Sequence, residues 1–383
     1  MFSDFDKYLR QTWKKTAQQE LNGRNFKEMI DWKTDEGFKV SAFYQATDLK
    51  EIEYLQSFHQ SLYNPAQPKQ STRNCQQVMS IDAQKANQTA LDALNNGVNE
   101  IAFIVNKDEQ CYDSFLDNLL KNILLPHCAI SFICNANQAL KLIQAYINYA
   151  EKHQIDLQTL SGSLTILDQE NTRAILHKLL IDVTKKSPNF LVINILEKSN
   201  LITDRNAKLL IRAVNTINEL AEKGCSLKNS IEKIQFSTYL TNNYFMEIAG
   251  LRALRMLFTE IVKEYGLDEY KPYQVQIQAL TSISVDEKTI QEPDWNMLSN
   301  TTQAMSAMIG GCDILTILPH YQMVGEVDSF SLRIARNICN LLKEESYLDA
   351  AIDVAAGSYY IDMLTDKVAE ETWDKFRKYL LAK

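Results

Sequence analysis

The chain has 383 residues, 45% of them hydrophobic, and a net charge of −8. That is apolar sequence enough for a large core, yet no run approaches the roughly 20 apolar residues that span a bilayer, so no membrane partner is expected. The acidic balance argues against a nucleic-acid partner, since phosphate contacts need a basic face, and only 11 glycines and 7 prolines argue against long disordered linkers.

The start, Met1-Phe2-Ser3-Asp4-Phe5-Asp6, has no basic segment followed by an apolar block, so no secretory signal is read and a cytoplasmic location is expected. Residues 1–72 read as an N-terminal arm and linker, and 73–383 as a barrel domain with C-terminal helices. In the arm, Phe5, Tyr8, Leu9, Trp13, Thr16 and Ala17 share one helical stripe that Leu21 continues. Such a stripe must lie on something: its own barrel or another subunit. Residues 31–44, with Gly37 between, read as a loop or short hairpin, and Pro65, Pro68 and the polar residues to Asn74 as a linker.

From Cys75 onward, strand-like and helix-like stretches alternate. The strands are expected at 77–81, 100–105, 129–134, 163–167, 190–195, 234–240, 273–281 and 314–318. Helical patterns fill the gaps at 86–94, 114–124, 139–150, 173–183, 207–220 and 245–262. Eight strands, each followed by a helix, fit an α/β fold of the (β/α)8 TIM-barrel type. Parallel strands need crossovers, and the helices supply them. An open doubly wound sheet would usually carry a glycine-rich phosphate turn after its first strand; Ser80-Ile81-Asp82-Ala83-Gln84 has none. The unit that closes the ring begins with Thr301, Ala304, Met305, Met308 and Ile309 on one helical face. Gly310 and Gly311 stop that helix, and the apolar run 314–318 ends at Pro319. Helices to Glu345 and over 364–381 complete the chain. The seven cysteines form no Cys-x-x-Cys pair; Cys75, Cys128, Cys134 and Cys312 lie in or beside strands, as small buried hydrophobes in a reducing compartment do.

The strands carry an unusual set of small polar residues: Ser80, Ser131, Ser163, Thr165, Asn194, Ser237, Gln276, Gln278 and Thr316. Period-two alternation puts such residues on one face. Helices cover the outside of a barrel, so this face points at the axis. A buried hydroxyl or amide left unpaired costs about 1–3 kcal/mol. The axis should therefore hold water, a polar ligand or a side-chain network.

Five segments, in one order, resemble the methylmalonyl-CoA mutases. Trp32-Lys33-Thr34-Asp35-Glu36-Gly37 is similar to the family's W-x-T-x-E-G, and the run from Asn243 through Glu247 to Arg255 to N-x-F-F-M-E-x-A-K-L-R-A-x-R. Thr301-Thr302-Gln303-Ala304-Met305 with Gly310-Gly311 resembles T-T-x-E-A-M…G-G. Phe330 to Asn337 resembles F-S-x-R-I-A-R-N, and Asp353 to Tyr360 resembles D-x-x-G-G-S-Y-Y. The resemblance implies a barrel whose axis, in catalytic chains, is lined with small polar side chains and threaded by coenzyme A. The polar strand residues named above thereby become candidates for substrate binding.

The departures bear on function. Catalytic chains have a tyrosine in R-x-Y-A-G-F at the first strand, where this chain reads Thr72-Arg73-Asn74-Cys75-Gln76-Gln77-Val78-Met79. Their Tyr-His pair after the fifth strand aligns with Leu196-Glu197, and the histidine of their seventh strand with Gln278. The glutamine of their fourth strand aligns with Thr165, and the histidine of their eighth with Thr316. The family's cobalamin domain carries Asp-x-His-x-x-Gly; none of His59, His127, His153, His177 and His320 has glycine three positions on. With the sequence running to Lys383, no such domain is expected within these residues. The resemblance therefore implies the small, or beta, subunit. Such a chain has no catalytic residues, no metal and no cofactor of its own. Its partner is a catalytic large, or alpha, subunit that holds adenosylcobalamin, and alone it would form a homodimer at most. A barrel that still binds a coenzyme A ester, or a subunit of a sister acyl-CoA mutase, are the alternatives. Glu247, Arg252, Arg255, Arg333 and Arg336 are expected in salt bridges or solvent rather than at a subunit contact. His320, at the carboxyl end of the last strand, is expected to be structural, and Asp353 with Gly357-Ser358-Tyr359 to form a packing corner.

Overall fold

The structure is a computed structural model that describes residues 10–382 except 23, 53, 65, 67–71, 106–111, 168–172, 285–291, 293 and 321–326. Eight parallel strand positions form a ring. They are β1 (Arg73–Met79), β2 (Glu100–Val105), β3 (Ala129–Cys134), β4 (Gly162–Ile166), β5 in two pieces (Phe190–Leu191 and Ile193–Glu197), β6 (Ile234–Tyr239), β7 (Gln276–Leu280) and β8 (Ile314–Thr316). Ile314 of β8 lies opposite Arg73 of β1, so the last strand pairs with the first. The first piece of β5 pairs with β4 and the second with β6. This ring excludes the open sheet.

The helices in chain order are α1 (Arg10–Glu20), α2 (Phe26–Met29), α3 (Tyr54–Ser61), α4 (Ala83–Asn95), α5 (Tyr112–Leu119), α6 (Ala136–Lys152), α7 (Arg173–Lys186), α8 (Ile202–Glu222), α9 (Leu227–Glu232), α10 (Tyr244–Glu264), α11 (Trp295–Ile309), α12 (Ser329–Glu344) and α13 (Tyr359–Leu381). Local chemistry sets several ends. The Asp82 carboxylate accepts from the amides of Gln84 and Lys85 and starts α4. Asn135 and Gln138 form a capping box at the start of α6. Gly311, at φ 82°, turns the chain out of α11 toward β8, as the two-glycine reading expects. Gly162 opens β4 at φ 131°, where a Cβ would lie 2.0 Å from the Ile130 carbonyl oxygen, so no other residue fits there.

The main core lies between ring and helices. Phe103, Phe132 and Phe236 point outward from their strands and are fully buried under the helices. A second core holds the arm. Leu55 and Phe58 of α3 pack with Met246 and Ala249 of α10 and Leu364 of α13. Residues Trp32–Lys33 and Lys39–Val40 pair as a hairpin, as expected for 31–44. This part of the arm thus lies on its own barrel. In α1, Trp13 stacks on Phe43 at 5.1 Å, whereas Thr16 is exposed. Phe5, Tyr8, Leu9, Pro65 and Pro68 lie outside the described residues.

Buried charges fasten these layers. The Glu36 carboxylate accepts from the amides of Ile202 and Thr203, the first turn of α8, and lies 3.7 Å from Lys375 of α13. A carboxylate at a helix N-terminus also meets the positive end of its dipole. Arg205 of α8 and Glu247 of α10 form a two-bond ion pair at 2.8 and 3.0 Å with no exposed surface on either side chain. Arg252 reaches Asp353 at 3.0 Å and Asp362 at 2.8 Å, and the ring of His59 from α3 sits on the same two carboxylates at 2.7 and 3.6 Å. Two carboxylates against one guanidinium leave a charge that a protonated His59 neutralises. Burial opposes that proton, but the bonds from Asp353 and Asp362 outweigh it and raise the histidine pKa from 6.5 to about 9.

Two predictions follow from these pairs. Because the folded pKa of His59 is raised, its contribution is full below pH 6.5 and is lost as pH rises through about 9. Lys233, whose pKa burial lowers to about 8, contributes the opposite slope above that pH. Urea midpoints of wild type and His59→Gln, compared from pH 6 to 10, should therefore converge as pH rises, with the variant less stable at pH 6. Arg205→Met leaves a buried carboxylate without its counter-charge and should cost about 3–5 kcal/mol by denaturant titration, most of which Arg205→Met/Glu247→Leu recovers.

Candidate functional site

The axis of the ring is where the polar strand residues converge. Alternation turns Gln77 and Met79 of β1, Ser131 of β3, Ser163 and Thr165 of β4, Asn194 of β5, Ser237 of β6 and Gln278 of β7 onto one cavity of about 350 Å³. Thr316 lies beside them, fully buried and bonded to Gln278. Thr165, Leu196 and Gln278 thus meet at the cavity with Thr316 beside them, while Glu197 pairs with Arg212 at 2.8 Å.

These groups bond mainly to one another. Asn194 Nδ2 donates to Thr165 Oγ1 at 2.6 Å, and the Ser237 hydroxyl lies 2.8 Å from both Asn194 Oδ1 and Gln278 Oε1. Gln278 Oε1 also accepts from Gln235 Nε2 at 3.1 Å, and Gln278 Nε2 donates to Thr316 Oγ1 at 3.0 Å. That chain crosses β4 to β8. On the other side the Ser131 hydroxyl donates to Glu100 Oε1 at 2.6 Å, lies 3.2 Å from Ser163 Oγ and accepts from the Ser163 amide at 2.8 Å. Arg73 extends this second chain to β1, 3.1 Å from the fully buried Glu100. Every strand of the ring contributes a polar group.

Two expected members are placed elsewhere. Ser80 follows Met79, which faces inward, so Ser80 points away from the axis; its hydroxyl donates to the Ile104 carbonyl at 2.8 Å. The reason is that β1 spans 73–79 and is polar at both parities, with Asn74 and Gln76 on one and Arg73 and Gln77 on the other, so its pattern does not mark which face is inward, and Ser80 lies past its end. Gln276 faces inward but at the amino end of β7, outside the cavity lining. The sequence reading also passed over Arg73, Gln77, Glu100 and Gln235. The signal for Gln235 was its position two residues before Ser237.

The carboxyl-end mouth of the cavity is aliphatic: Met79, Ile104, Ile133, Leu167, Leu196 and Leu280. Met79 and Leu167 are each 49% exposed there. Tyr239 is the one titratable lining residue among the described residues, and burial raises its pKa. The lining therefore offers hydroxyl, amide and hydrocarbon contacts, with no group that exchanges a proton near neutrality. His320 is buried, its ring edge-on to Phe330 at 6.3 Å and 3.6 Å from Asp294.

Comparison of the sequence with known proteins points to a family. A family profile described as methylmalonyl-CoA mutase fits residues 203–379. The "Methylmalonyl-CoA mutase small subunit" of Porphyromonas gingivalis is 32% identical over 398 residues, covering 98% of this chain and 63% of that one. The chain belongs to the methylmalonyl-CoA mutase family. The "Methylmalonyl-CoA mutase small subunit" of Streptomyces virginiae is 34% identical over 169 residues, 44% of this chain and 27% of that one. The "Methylmalonyl-CoA mutase" of Cereibacter sphaeroides is 25% identical over 409 residues, 94% of this chain and 57% of that one. The chain spans less than two thirds of the length of these curated relatives.

The mutase-like motifs now have physical roles. Thr34 bonds the Phe38 carbonyl at 2.8 Å and shapes the turn that presents Glu36 to α8. Glu247 holds Arg205 and the Thr241 amide. Arg255 donates to the carbonyls of Pro272, Val275 and Gly311 and pairs with Asp313 at 2.7 Å. Gln303 Oε1 accepts from the Ser282 amide at 2.7 Å. Arg336 pairs with Asp92 at 3.0 Å, Arg333 lies over the Phe330 ring, and Asp353 sits in the Arg252 corner. These are fasteners between elements, as expected for Glu247, Arg252, Arg255 and Asp353.

For cobalamin, the five histidines are the test, because the family's motif requires one as the cobalt ligand. His59 and His320 are occupied as described, His127 and His153 lie at the amino ends of β3 and β4, and His177 lies within α7. None lies at the cavity mouth among the described residues. The residues present do not fit the corrin.

The axial network yields a graded prediction. Asn194→Leu keeps the volume but strips Thr165 and Ser237 of a partner, and should cost about 1–3 kcal/mol in a urea titration. Gln276→Ala, outside the network, should stay within about 0.5 kcal/mol.

Proposed function

We propose that this chain is the small, non-catalytic subunit of a methylmalonyl-CoA mutase. In that assembly a large subunit holds adenosylcobalamin and converts methylmalonyl-CoA to succinyl-CoA. This chain docks to the large subunit and stabilises it. The observation that supports this best is the cavity lining. At the positions aligned with catalytic side chains it presents Thr165, Leu196, Gln278 and Thr316, without a cationic donor among the described residues. A site that steers charge in a reaction needs oriented donors stronger than neutral hydroxyls spent on one another. The same self-bonding argues against the coenzyme A ester-binding reading, since a ligand would have to break those bonds. Docking is supported by the names of the relatives.

Co-expression with the large-subunit mutase of the same host tests this. The two chains should copurify, and the large subunit should lose activity on heating faster without this chain. With adenosylcobalamin and methylmalonyl-CoA, this chain alone should give no succinyl-CoA. Turnover by the isolated chain, or its persistence as a homodimer beside a free large subunit, would refute the assignment.

A further inference from the structure

The ring has a seam. β4 pairs with β5 at Gly162–Phe190 and Ser163–Leu191 and, among the described residues, no further. Yet the other edge of β4 continues to pair with β3 through Ile166, and the other edge of β5 with β6 through Glu197. Above Ser163 the two strands are joined by a side-chain bond, Asn194 to Thr165, in place of ladder rungs. A β-edge with no neighbour is normally covered or charged.

Outside the seam, between α7 and α8, lies a second cavity of about 260 Å³. Its inner wall is aliphatic, with Leu164, Ile166, Leu176, Val192, Ile195 and Leu220. Its rim is a stripe of α8, Arg212, Thr216, Glu219 and Lys223, at helical spacing. A barrel helix normally turns apolar residues toward such a space. The rim charges balance: Arg212 is paired with Glu197, and Glu219 and Lys223 are one of each sign on neighbouring turns. An ionic ligand would find no net field there. Asn194 lines both this cavity and the axial one, so it is the wall between them.

We propose that the cleft between α7 and α8 at the β4–β5 seam binds a short unbranched aliphatic chain with an uncharged hydrogen-bonding end, such as an alcohol. The chain lies along Leu164, Ile166 and Leu176, and the polar end meets the Asn215–Thr216 rim of α8. This site is separate from the axial cavity and independent of the assembly proposed above.

Calorimetric titration of the full chain with n-hexanol, n-octanol and octanoate tests it. Saturable binding is expected, tightening roughly fourfold per methylene from hexanol to octanol, with octanoate weaker. Thr216→Phe, which fills the rim, should weaken octanol binding at least tenfold. Crystals soaked with 8-bromo-octanol supply a readout that does not depend on a variant folding: the bromine should lie between α7 and α8. Absence of saturation, preference for octanoate, an unchanged Thr216→Phe titration in a folded variant, or bromine in the axial cavity would each overturn the proposal.

Discussion

A ring of parallel strands that turns amides and hydroxyls toward its axis must satisfy them inside the ring. Each buried polar group left without a partner costs more than a typical bond returns, so a partly bonded axis would be worse than an aliphatic one. Here most of the requirement is met by side chains on adjacent strands, Thr165, Asn194, Ser237, Gln278 and Thr316 on one side and Glu100, Ser131 and Ser163 on the other, while Gln235 Oε1 has no hydrogen-bond partner among the described residues. Each bond crosses from one strand to the next, so the network acts as an inner hoop. It replaces the layers of branched aliphatic residues that usually fill such barrels. The cavity that remains is uncharged, with polar walls and an aliphatic mouth.

Outside the hoop, charge does a different task. Buried ion pairs often add little net stability but specify which elements meet. The helix α10 is the hub of that specification. Glu247 on its first turn reaches Arg205 of α8, Arg252 reaches the corner at Asp353 and the start of α13, and Arg255 reaches the loops before β7 and β8. The arm joins at two points, Glu36 on α8 and His59 on the Arg252 corner. The family's sequence signatures in this chain are therefore signatures of assembly order. A segment can match a catalytic family because it fastens helices, without having any part in chemistry.

Much of this was legible in the sequence, and the misses have physical reasons. β2 and β3 begin and end where the apolar runs do, because both faces of the strands are simple. β1 was displaced because its outward face is polar: Asn74 is buried against α12, donating to the Arg336 carbonyl and Asn340. A strand polar on both faces has no alternation to read, so nothing in the pattern marked Ser80 as facing away from the axis. The aliphatic mouth was hidden for the converse reason. Ile104, Ile133, Leu196 and Leu280 look like ordinary strand residues, and only their parity against Ala102, Ser131, Asn194 and Gln278 places them inward. Arg205 was missed because a lone arginine on a helix gives no hint that its partner lies on the next helix but one.

The seam and the hoop meet at Asn194, and this has a consequence for what the barrel can do. A ladder that stops after two rungs leaves the wall between β4 and β5 dependent on one amide. The other neighbouring strands pair at three to six positions, so this join has the shortest ladder of the ring. Opening at that point would break Asn194 from Thr165 while leaving Ser237, Gln278 and Thr316 bonded on the β6–β8 side. The half of the ring from β6 to β8 is also the half that α10 fastens through Arg255. One half is thus held by a guanidinium and continuous ladders, and the other ends at an edge.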